Sequence, residues 1–431
     1  MRLLYPLRLL ATLCLLWLAL KRGCLSTALE RLGPSYIKLG QLLSTRPDLI
    51  GEKRADELAH LRDRLPPFRF AQARRIIEEE FGKKLEAIFA SIEEVPVAAA
   101  SVAQVHSARL LSGERVAAKI LRPGVARAFE KDIALFDWAA RTLMRLRPGM
   151  RRLKLTEVVN LLRETVTFEL DLRYEAAAMD EMRANVAGDS GWRIPRVYWQ
   201  VAARRVLVSE WIDGVPIHER EALLAAGHNP DVVLAALARH FFLHVFRDGF
   251  FHADLHPGNV FVDAAGNIVV VDFGIMGRLS RRERNYIAEM FRGFLQEDYK
   301  AVAEAHFRAG YVPAHQSKER FAQAAMAIAK PIFNRPANEI SLAKLLEQLF
   351  SVAKTFEMQT QPQLLLLQKT LVTVEGVGRM LNPSANMWDM ARSPIEEWAK
   401  AEFSPAGRAK HALAEVKEWI EEWLLAYHSR P

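Results

Sequence analysis

The feature that most constrains this 431-residue chain is a group of polar residues set among apolar segments near its middle. The run His252–Asn259 reads His-Ala-Asp-Leu-His-Pro-Gly-Asn, and Asp272-Phe273-Gly274 begins thirteen residues after Asn259. The intervening Val260–Val271 has the pattern of two short apolar strands around an Ala-Ala-Gly-Asn turn. It therefore predicts a β-hairpin whose open end brings Asn259 and Asp272 together.

These residue types suit phosphoryl transfer. In protein-kinase-like folds one Asp orients the accepting oxygen, while an Asn and a second Asp hold magnesium on the phosphates. Oxygen ligands suit a hard cation such as Mg²⁺. Asp254, Asn259 and Asp272 are the candidates for these three roles. The competing interpretation is a polar turn beside a buried hairpin, and the agreement of three roles with one topology favours catalysis.

A second set of signals lies upstream, in Pro96–Leu121. A small-residue segment leads into alternating residues from Val102 to His106, and Val116–Leu121 is a second strand candidate that contains Lys119. This is the order of a kinase N-lobe, where a loop covers the phosphates and a Lys contacts them. Such loops are glycine-rich, whereas this one carries alanines, whose Cβ atoms restrict backbone approach. The predicted nucleotide-covering residues are Val97, Ala98, Ala99, Ala100, Ser101, Val102, Ala103, Gln104 and Val105.

A lysine in that role needs a carboxylate partner on a nearby helix. The segment from Thr156 to Val186 predicts one long helix with several acidic residues. Periodicity does not choose among them, and a solvated helix face explains any single one. The competing acids are Glu164, Glu169, Asp171 and Glu175.

The rest of the chain is mostly helical in pattern. Residues 26–95 predict helices, and within them Lys38 and Gln41 share a face, with Gly40 allowing another backbone to approach. Further predictions are strands over 193–199 and 204–210, a hinge over 210–214, an apolar helix over 232–247, helices from Ser280 to about Lys400, and an amphipathic helix over 410–428. A metal site built from His240, His244, His252 and His256 is disfavoured, because strand, turn and helix context already explains them.

The N-terminal residues suggest a membrane surface. The uncharged run from Leu9 to Leu20 has twelve residues, short of the roughly 20 that a spanning helix needs. Lys21-Arg22 follows it without a clear cleavage site, so an interfacial helix fits better than a signal or spanning segment. A helix packed on protein is the third alternative.

Charge and cysteine content narrow the setting. The net charge of +8 suits nucleic acid, an anionic membrane surface or simply solubility. No basic stripe interleaved with aromatic residues indicates nucleic acid, and the N-terminal run supports the membrane surface. The two cysteines, Cys14 and Cys24, build neither a disulfide framework nor a cysteine metal site, which favours a reducing compartment.

Taken jointly, these motifs resemble the UbiB/ADCK family of atypical protein-kinase-like proteins, with bacterial members nearest. The resemblance spans residues 33 to 278 and extends to Leu364–Lys369 and Val374–Gly378. The residues that carry it are Lys38-Leu39-Gly40-Gln41, Ala98–His106, Lys119, Glu169-Leu170-Asp171 with Glu175-Ala176, His252–Asn259 and Asp272-Phe273-Gly274.

The resemblance implies a membrane-associated protein that binds ATP and Mg²⁺ and supports ubiquinone biosynthesis. It assigns Asp254 as the catalytic acid or base and pairs Lys119 with Glu175. Asn259 and Asp272 would hold magnesium, and the alanine-rich loop would cover ATP. Lys38, Gln41, Glu169 and Asp171 would belong to a regulatory extension that folds over the site and obstructs protein substrates.

The fold class implied is α+β: a bilobal protein-kinase-like fold with a small mixed N-lobe sheet, a mostly helical C-lobe and a helical N-terminal extension. The predicted segments are 1–25 (membrane-associated), 26–95 (extension), 96–213 (N-lobe), 214–400 (C-lobe) and 401–431 (amphipathic tail). The implied location is the bacterial inner membrane, with the lobes facing the cytoplasm. The implied partners are membrane lipids, quinone precursors and other ubiquinone-biosynthesis enzymes. Nucleic acid is not expected as a partner.

Two departures qualify the resemblance. Bacterial members usually end in two hydrophobic spans, which are not found before Pro431, and Ala253 replaces the Arg of His-Arg-Asp. The second departure puts regulation by activation-loop phosphorylation in doubt. Three functions remain open: an ATPase or small-molecule phosphotransferase of a lipid pathway, a nucleotide-switched binding module, and a soluble aminoglycoside-type kinase.

Overall fold

The fold is that of a computed structural model, which describes most of the chain between Leu25 and Pro405. The apolar run Leu9–Leu20 and the amphipathic helix predicted over 410–428 lie outside the described residues. The described ranges are 25–44, 50–59, 61, 65–146, 155–333, 352–353, 355–358, 362–384, 387–402 and 404–405.

The elements described as far as residue 210 come as a group of helices, a group of strands, three further helices and two further strands. In chain order they are α1 (Leu25–Leu32), α2 (Pro34–Ser44), α3 (Glu52–Ala59), α4 (Phe70–Phe81), β1 (Phe89–Ile92), β2 (Ala98–Ala99), β3 (Ala103–Leu110), β4 (Arg115–Leu121), α5 (Val125–Leu146), α6 (Leu155–Glu169), α7 (Leu172–Asn185), β5 (Trp192–Arg193) and β6 (Val206–Glu210).

The elements that follow are one strand, two helices, four more short strands and then a run of helices in the described residues. They are β7 (Gly214–Pro216), α8 (Arg220–Ala225), α9 (Pro230–Leu243) with a π-helical turn (His244–Asp248), β8 (Phe250–His252), β9 (Val260–Asp263), β10 (Ile268–Val270), β11 (Met276–Arg278), α10 (Arg281–Leu295), α11 (Tyr299–Arg308), α12 (Lys318–Phe333), α13 (Pro362–Leu381) and α14 (Met387–Glu402).

The chain divides into two compact units. The first comprises Met1–Arg183 and Ile194–Ile212, and the second comprises Ala184–Arg193 and Asp213–Pro431. The division after Ile212 falls within the predicted hinge over 210–214. The finer five-segment division remains a prediction.

The first unit is built on a five-stranded sheet in the order β1-β3-β4-β6, with β2 added to β3. Every pairing in this sheet is antiparallel, where a mixed sheet was predicted. Alternate residues of β4 face inward, and Val116, Ala118 and Ile120 are buried in the core that α4 covers. The strand predictions for Val102–His106 and Val116–Leu121 are thus confirmed, with a start one residue later in the first case and one residue earlier in the second.

Three predictions for the part of the chain before residue 200 were wrong in detail. Helix was predicted over all of 26–95, but Phe89–Ile92 is strand β1. A strand was predicted over 193–199, but only Trp192–Arg193 is a strand, followed by an isolated bridge at Val197. Pro195 lies between them, and proline has no N–H to donate to a ladder.

The third error concerns the long helix predicted over 156–186, which is broken into α6 and α7. Asp171 causes the new start, because its carboxylate accepts a hydrogen bond from the Arg173 backbone N–H in the first turn of α7 at 3.2 Å. This is the role of an N-cap residue. As a result, Glu169 ends one helix and Glu175 lies in the first turn of the next.

The helical extension has its own small core. Leu29, Tyr36, Ile37, Leu58 and Leu61 are buried together from α1, α2 and the α3 region. Gly40 was predicted to admit a backbone, but a Cβ there would meet the side chains of two of these leucines, at 2.7 Å and 2.9 Å. The glycine therefore makes room for leucine packing.

The second unit holds the predicted hairpin. Its four-stranded sheet has the order β5-β10-β9-β7, with β5 parallel to β10 and the other pairs antiparallel. β8 pairs separately with β11. The apolar helix predicted over 232–247 is α9 with its π-helical turn, and Phe241, Phe242, Val245 and Phe246 are buried as predicted. No helix in the described part of the chain is both long and apolar enough to cross a bilayer.

We expect Gly277→Ala to destabilise the protein by about 1–3 kcal/mol, because it overpacks β8 against β11. A Cβ on Gly277 would collide with the ring of Phe251, which is fully buried. Urea unfolding measures the change. The matched control is Gly376→Ala on α13, where nothing lies within 4 Å of the added methyl group. Equal destabilisation by both substitutions would contradict the overpacking explanation.

Candidate functional site

The hairpin that carries the polar residues forms as the sequence predicts. β9 and β10 pair with Val260 opposite Val270, and the Val271 backbone N–H donates to the Asn259 carbonyl at 2.9 Å. The ladder thus extends to the residue immediately before Asp272. The register therefore sets Asn259 and Asp272 at the same open end of the hairpin.

His252 connects this open end to the loop that contains Asp254. The Asp254 backbone N–H donates to Nδ1 of His252 at 3.1 Å. Nε2 therefore carries the proton and donates to the Asp272 carbonyl at 2.8 Å. Burial lowers the pKa of His252, which favours this neutral form. One buried ring thus holds the backbones of both predicted acidic site residues.

Asp272 has the backbone strain often found at functional sites. Its φ is 63°, a left-handed conformation that non-glycine residues adopt uncommonly and that Asp and Asn tolerate best. The hydrogen bond from His252 restrains the carbonyl of this residue. Asp272 is exposed, so its carboxylate lies within reach of a ligand.

Asn259 is oriented by the same loop. Its Nδ2 donates to the Asp254 carbonyl at 3.2 Å. Among the described residues, no group donates a hydrogen bond to Oδ1 of Asn259. The amide is thus turned so that its oxygen remains available to a cation, which is the donor atom that Mg²⁺ prefers.

The Asp254 carboxylate has one ionic neighbour in the described part of the chain. Lys369 Nζ, on α13, lies 3.4 Å from Asp254 Oδ1. Both side chains are partly solvent-accessible, with 50% of Lys369 and 36% of Asp254 exposed. A positive charge thus lies beside the predicted catalytic residue.

Lys119 and Glu175 meet in the first unit. Lys119 on β4 donates to Glu175 Oε1 on α7 at 2.8 Å. The glutamate side chain is 8% exposed and the lysine 19%, so the pair is largely shielded from solvent. The contact that the resemblance implied is present, and it distinguishes Glu175 from the other acids between residues 164 and 175.

The alanine-rich loop forms a tight turn at the end of the sheet. Ala98 and Ala99 pair with β3, and the Ala100 backbone N–H donates to the Ala103 carbonyl at 2.8 Å. Arg122 makes two hydrogen bonds to this turn. Its backbone N–H donates to the Val102 carbonyl and its Nε donates to the Ala100 carbonyl, both at 2.8 Å. Arg122, the residue that follows β4, thus restrains the backbone of the loop.

The predicted regulatory residues make different side-chain contacts. Lys38 on α2 forms an ion pair with Glu169 Oε2 at 2.9 Å, and both side chains are almost buried. Asp171 instead pairs with Arg173 at 2.6 Å, a hydrogen bond that lowers the pKa of the carboxyl. The Gln41 side chain makes no hydrogen bond to the rest of the described chain. The structure thus joins Lys38 to Glu169 and Asp171 to Arg173.

The four histidines that raised a metal interpretation separate into three environments. His252 belongs to the loop described above, and His256 is exposed, with Nδ1 accepting from the Gly258 N–H. His240 and His244 are buried beside the partly buried Asp189, and potential ligand atoms of these three lie within 4.8 Å of one another. Arg247 donates to both oxygens of Asp189, so an ion pair already occupies that carboxylate.

The Lys119–Glu175 pair in the first unit, and the hairpin end with Asp254, Asn259 and Asp272 in the second, are features expected of a protein-kinase-like protein of the atypical kind. Two protein-family models match the sequence. That of the ABC1 atypical kinase-like domain matches residues 60–306, and that of the UbiB helical domain matches residues 325–386.

The curated relatives agree. A protein of Marinobacter nauticus is 40% identical over 92% of this chain and 74% of its own length, and one of Azotobacter vinelandii is 41% identical over 91% and 74%. One of Pseudomonas entomophila is 41% identical over 90% and 73%. Each is called "Probable protein kinase UbiB". The chain belongs to the UbiB family of atypical kinases, as the resemblance indicated.

A solved structure supports the fold. Rv3197 of Mycobacterium tuberculosis, determined in complex with erythromycin, matches with a TM-score of 0.59 and 24% identity over 91% of this chain and 97% of its own. At that identity the likeness concerns the fold alone. The predicted bilobal protein-kinase-like class is confirmed.

Three contributors to the site were missed by sequence reasoning. His252 and Lys369 were within recognised motifs, but only the structure shows His252 bridging two backbones and Lys369 beside Asp254. Arg122 gave no signal beyond its place three residues after Lys119. No periodic pattern in the sequence predicts these contacts, because each joins residues through a turn or across separate elements.

We expect a double-mutant cycle on Lys38 and Glu169 to give a coupling free energy of about 1–3 kcal/mol. The pair is almost buried, so solvent screens the attraction between the two charges only weakly. Either Lys38→Met or Glu169→Gln removes that attraction, and the double substitution loses it only once. Denaturant unfolding of the four proteins gives the value. Lys318 and Glu304, which pair with about half of each side chain exposed, serve as the control cycle. Additive effects at Lys38 and Glu169 would show that the ion pair does not anchor α2.

Proposed function

We propose that this protein binds Mg·ATP and uses it as an ATPase or small-molecule phosphotransferase that supports ubiquinone biosynthesis. The observation that carries the proposal is the geometry at the hairpin end. There, His252 restrains the backbones of Asp254 and Asp272, while the Asp254 carbonyl orients the Asn259 amide. Membership of the UbiB family supports the assignment to ubiquinone biosynthesis.

In this proposal each residue has one task. Asp254 takes the proton of the acceptor, which is water or a small-molecule hydroxyl. Lys119, held by Glu175, binds the phosphates, and Asn259 and Asp272 hold Mg²⁺. When bound, the magnesium ion neutralises charge on the phosphates. The loop from Val97 to Val105 covers the nucleotide.

The residues present fit this cofactor. Mg²⁺ binds through one or two carboxylates and other oxygen donors, and it keeps several waters. An exposed carboxylate at Asp272 and an oriented amide oxygen at Asn259 meet that requirement. A shielded Lys119–Glu175 pair keeps the ammonium fixed for a phosphate.

We further propose that two structural features limit phosphoryl transfer, so that the protein does not phosphorylate added proteins. The alanine Cβ atoms of the loop hinder the close backbone approach that glycine permits. The Lys38–Gln41 segment is the second restraint, in keeping with the resemblance. Its helix is anchored by the Glu169 ion pair and by the edge-to-face contact of Tyr36 with Phe136.

We expect Asp254→Asn and Asp272→Asn to separate catalysis from binding. Asp254→Asn should lower ATP turnover by about 100-fold or more with nucleotide affinity unchanged, because Asp254 acts on the acceptor. Asp272→Asn should weaken Mg·ATP binding by about 10-fold or more, because it removes an ionised ligand. Phosphate release and equilibrium binding, each with and without membranes and quinone precursors, measure the two effects.

Ala99→Gly is examined in the same assay with labelled ATP. Wild type should transfer negligible label to added proteins, and Ala99→Gly should change nucleotide preference or raise autophosphorylation by relieving the first restraint. Turnover that survives in Asp254→Asn would remove that residue from catalysis. Nucleotide binding with no turnover under any condition would favour the nucleotide-switched binding module instead.

The proposed setting is the cytoplasmic face of the bacterial inner membrane. The apolar run Leu9–Leu20, flanked by Arg8 and Lys21, supports an interfacial anchor, and the net charge of +8 favours anionic lipids. Membrane lipids, quinone precursors and other ubiquinone-biosynthesis enzymes are the proposed partners.

We expect removal of residues 1–22 to release the protein from anionic liposomes, because it deletes the apolar segment and its basic flanks. Flotation measures retention, and nucleotide binding should be unchanged. The matched control is Leu-to-Ser substitution of Leu13 and Leu16, which keeps the charge and removes apolar surface. Full retention of the truncated protein would assign the anchor to another surface, such as the segment over 410–428.

A further inference from the structure

We propose that Lys369 is a catalytic residue that binds the transferring phosphoryl group beside Asp254. This inference rests on the proposed function. Lys369 lies on α13, within the region matched by the UbiB helical domain, and its Nζ is 3.4 Å from Asp254 Oδ1. No role was assigned to Lys369 by its motif.

The loop around Asp254 needs a cation from elsewhere. Phosphoryl transfer spreads negative charge over the phosphoryl oxygens, and enzymes stabilise that charge with fixed positive groups. The segment His252–Asn259 contains no Lys and no Arg. In the described part of the chain, Lys369 is the basic residue that forms an ion pair with the Asp254 carboxylate.

Fold stability is a weak explanation for this contact. Exposed ion pairs contribute little to stability, and 50% of the Lys369 side chain is exposed. The hydrogen bond from Lys369 to Asp254 is long, at 3.4 Å. An ammonium has three N–H donors, so this contact leaves donors for another acceptor. These properties suit a group that exchanges water for phosphoryl oxygens when a nucleotide is present.

The helix that carries Lys369 is firmly held. Thr370, Val374 and Val377 are buried on one side of α13. This helix packs against α9 and against β11, which pairs with β8. β8 leads directly into the Asp254 loop. Lys369 and Asp254 are therefore positioned by one packed group of elements within the second unit, as a preorganised electrostatic site requires.

The step balances without a change in the charge of Lys369. The acceptor oxygen forms a bond to the γ-phosphorus while the bond from phosphorus to the bridging oxygen breaks. ADP leaves with that electron pair, and Asp254 takes the acceptor proton. Lys369 remains an ammonium throughout and interacts most strongly with the phosphoryl oxygens as their charge develops.

The test compares Lys369→Met with Arg379→Met in the full chain. Arg379 lies on the same helix and pairs with Glu375 at 2.8 Å, so its substitution removes an exposed cation and an ion pair away from Asp254. We expect Lys369→Met to lower kcat for phosphate release from ATP by about 100-fold, with the Kd for Mg·ATP within about twofold of wild type and the thermal midpoint close to wild type. Arg379→Met should leave all three values unchanged.

Lys369→Arg should recover part of the lost kcat, since it restores charge but not the compact ammonium. Unchanged kcat in Lys369→Met overturns the proposal, and so does a rise, which would make the ion pair a brake on Asp254. If Lys369→Met is fully active while Asp254→Asn is inactive, only the Lys369 assignment fails. Absence of ATP turnover in wild type with membranes and quinone precursors overturns both this assignment and the proposed function.

Discussion

The arrangement of the Asp254 loop and the hairpin end in the second unit depends on one buried imidazole. His252 uses both ring nitrogens, accepting from the Asp254 N–H and donating to the Asp272 carbonyl. A buried polar group left without partners costs about 1–3 kcal/mol, so these two contacts restrict how the loop and hairpin can be arranged. The left-handed backbone of Asp272 is maintained within that arrangement. Asn259 is fixed in turn by the Asp254 carbonyl.

The first unit obtains its two shielded ion pairs from a break in one helix. α6 ends at Glu169, and Asp171 caps the start of α7. Glu169 therefore lies at a helix end where it meets Lys38, and Glu175 lies in a first turn where it meets Lys119. The two contacts hold the extension and the strand-borne lysine to neighbouring helices of the same unit.

Segments outside the motifs shared with ordinary kinases contribute a lysine to each unit. Lys38 comes from the N-terminal extension and forms an almost buried pair with Glu169, which suits a structural anchor. Lys369 comes from the helical domain and stays half exposed beside Asp254, which suits a group that meets a ligand. The two lysines carry the same charge but suit different roles, because the free energy needed to separate an ion pair depends on its burial.

The sequence by itself determined the hairpin, the strands around Lys119 and the family, because these depend on local periodicity, turn residues and motif spacing. It did not determine the helix break at Asp171, where a capping hydrogen bond overrides a continuous helical pattern. Only the tertiary structure chose Glu175 for Lys119 on physical grounds and brought Lys369 to Asp254 across 115 residues of chain. Such contacts arise when separately folded elements pack, and no local pattern records which side chains then meet.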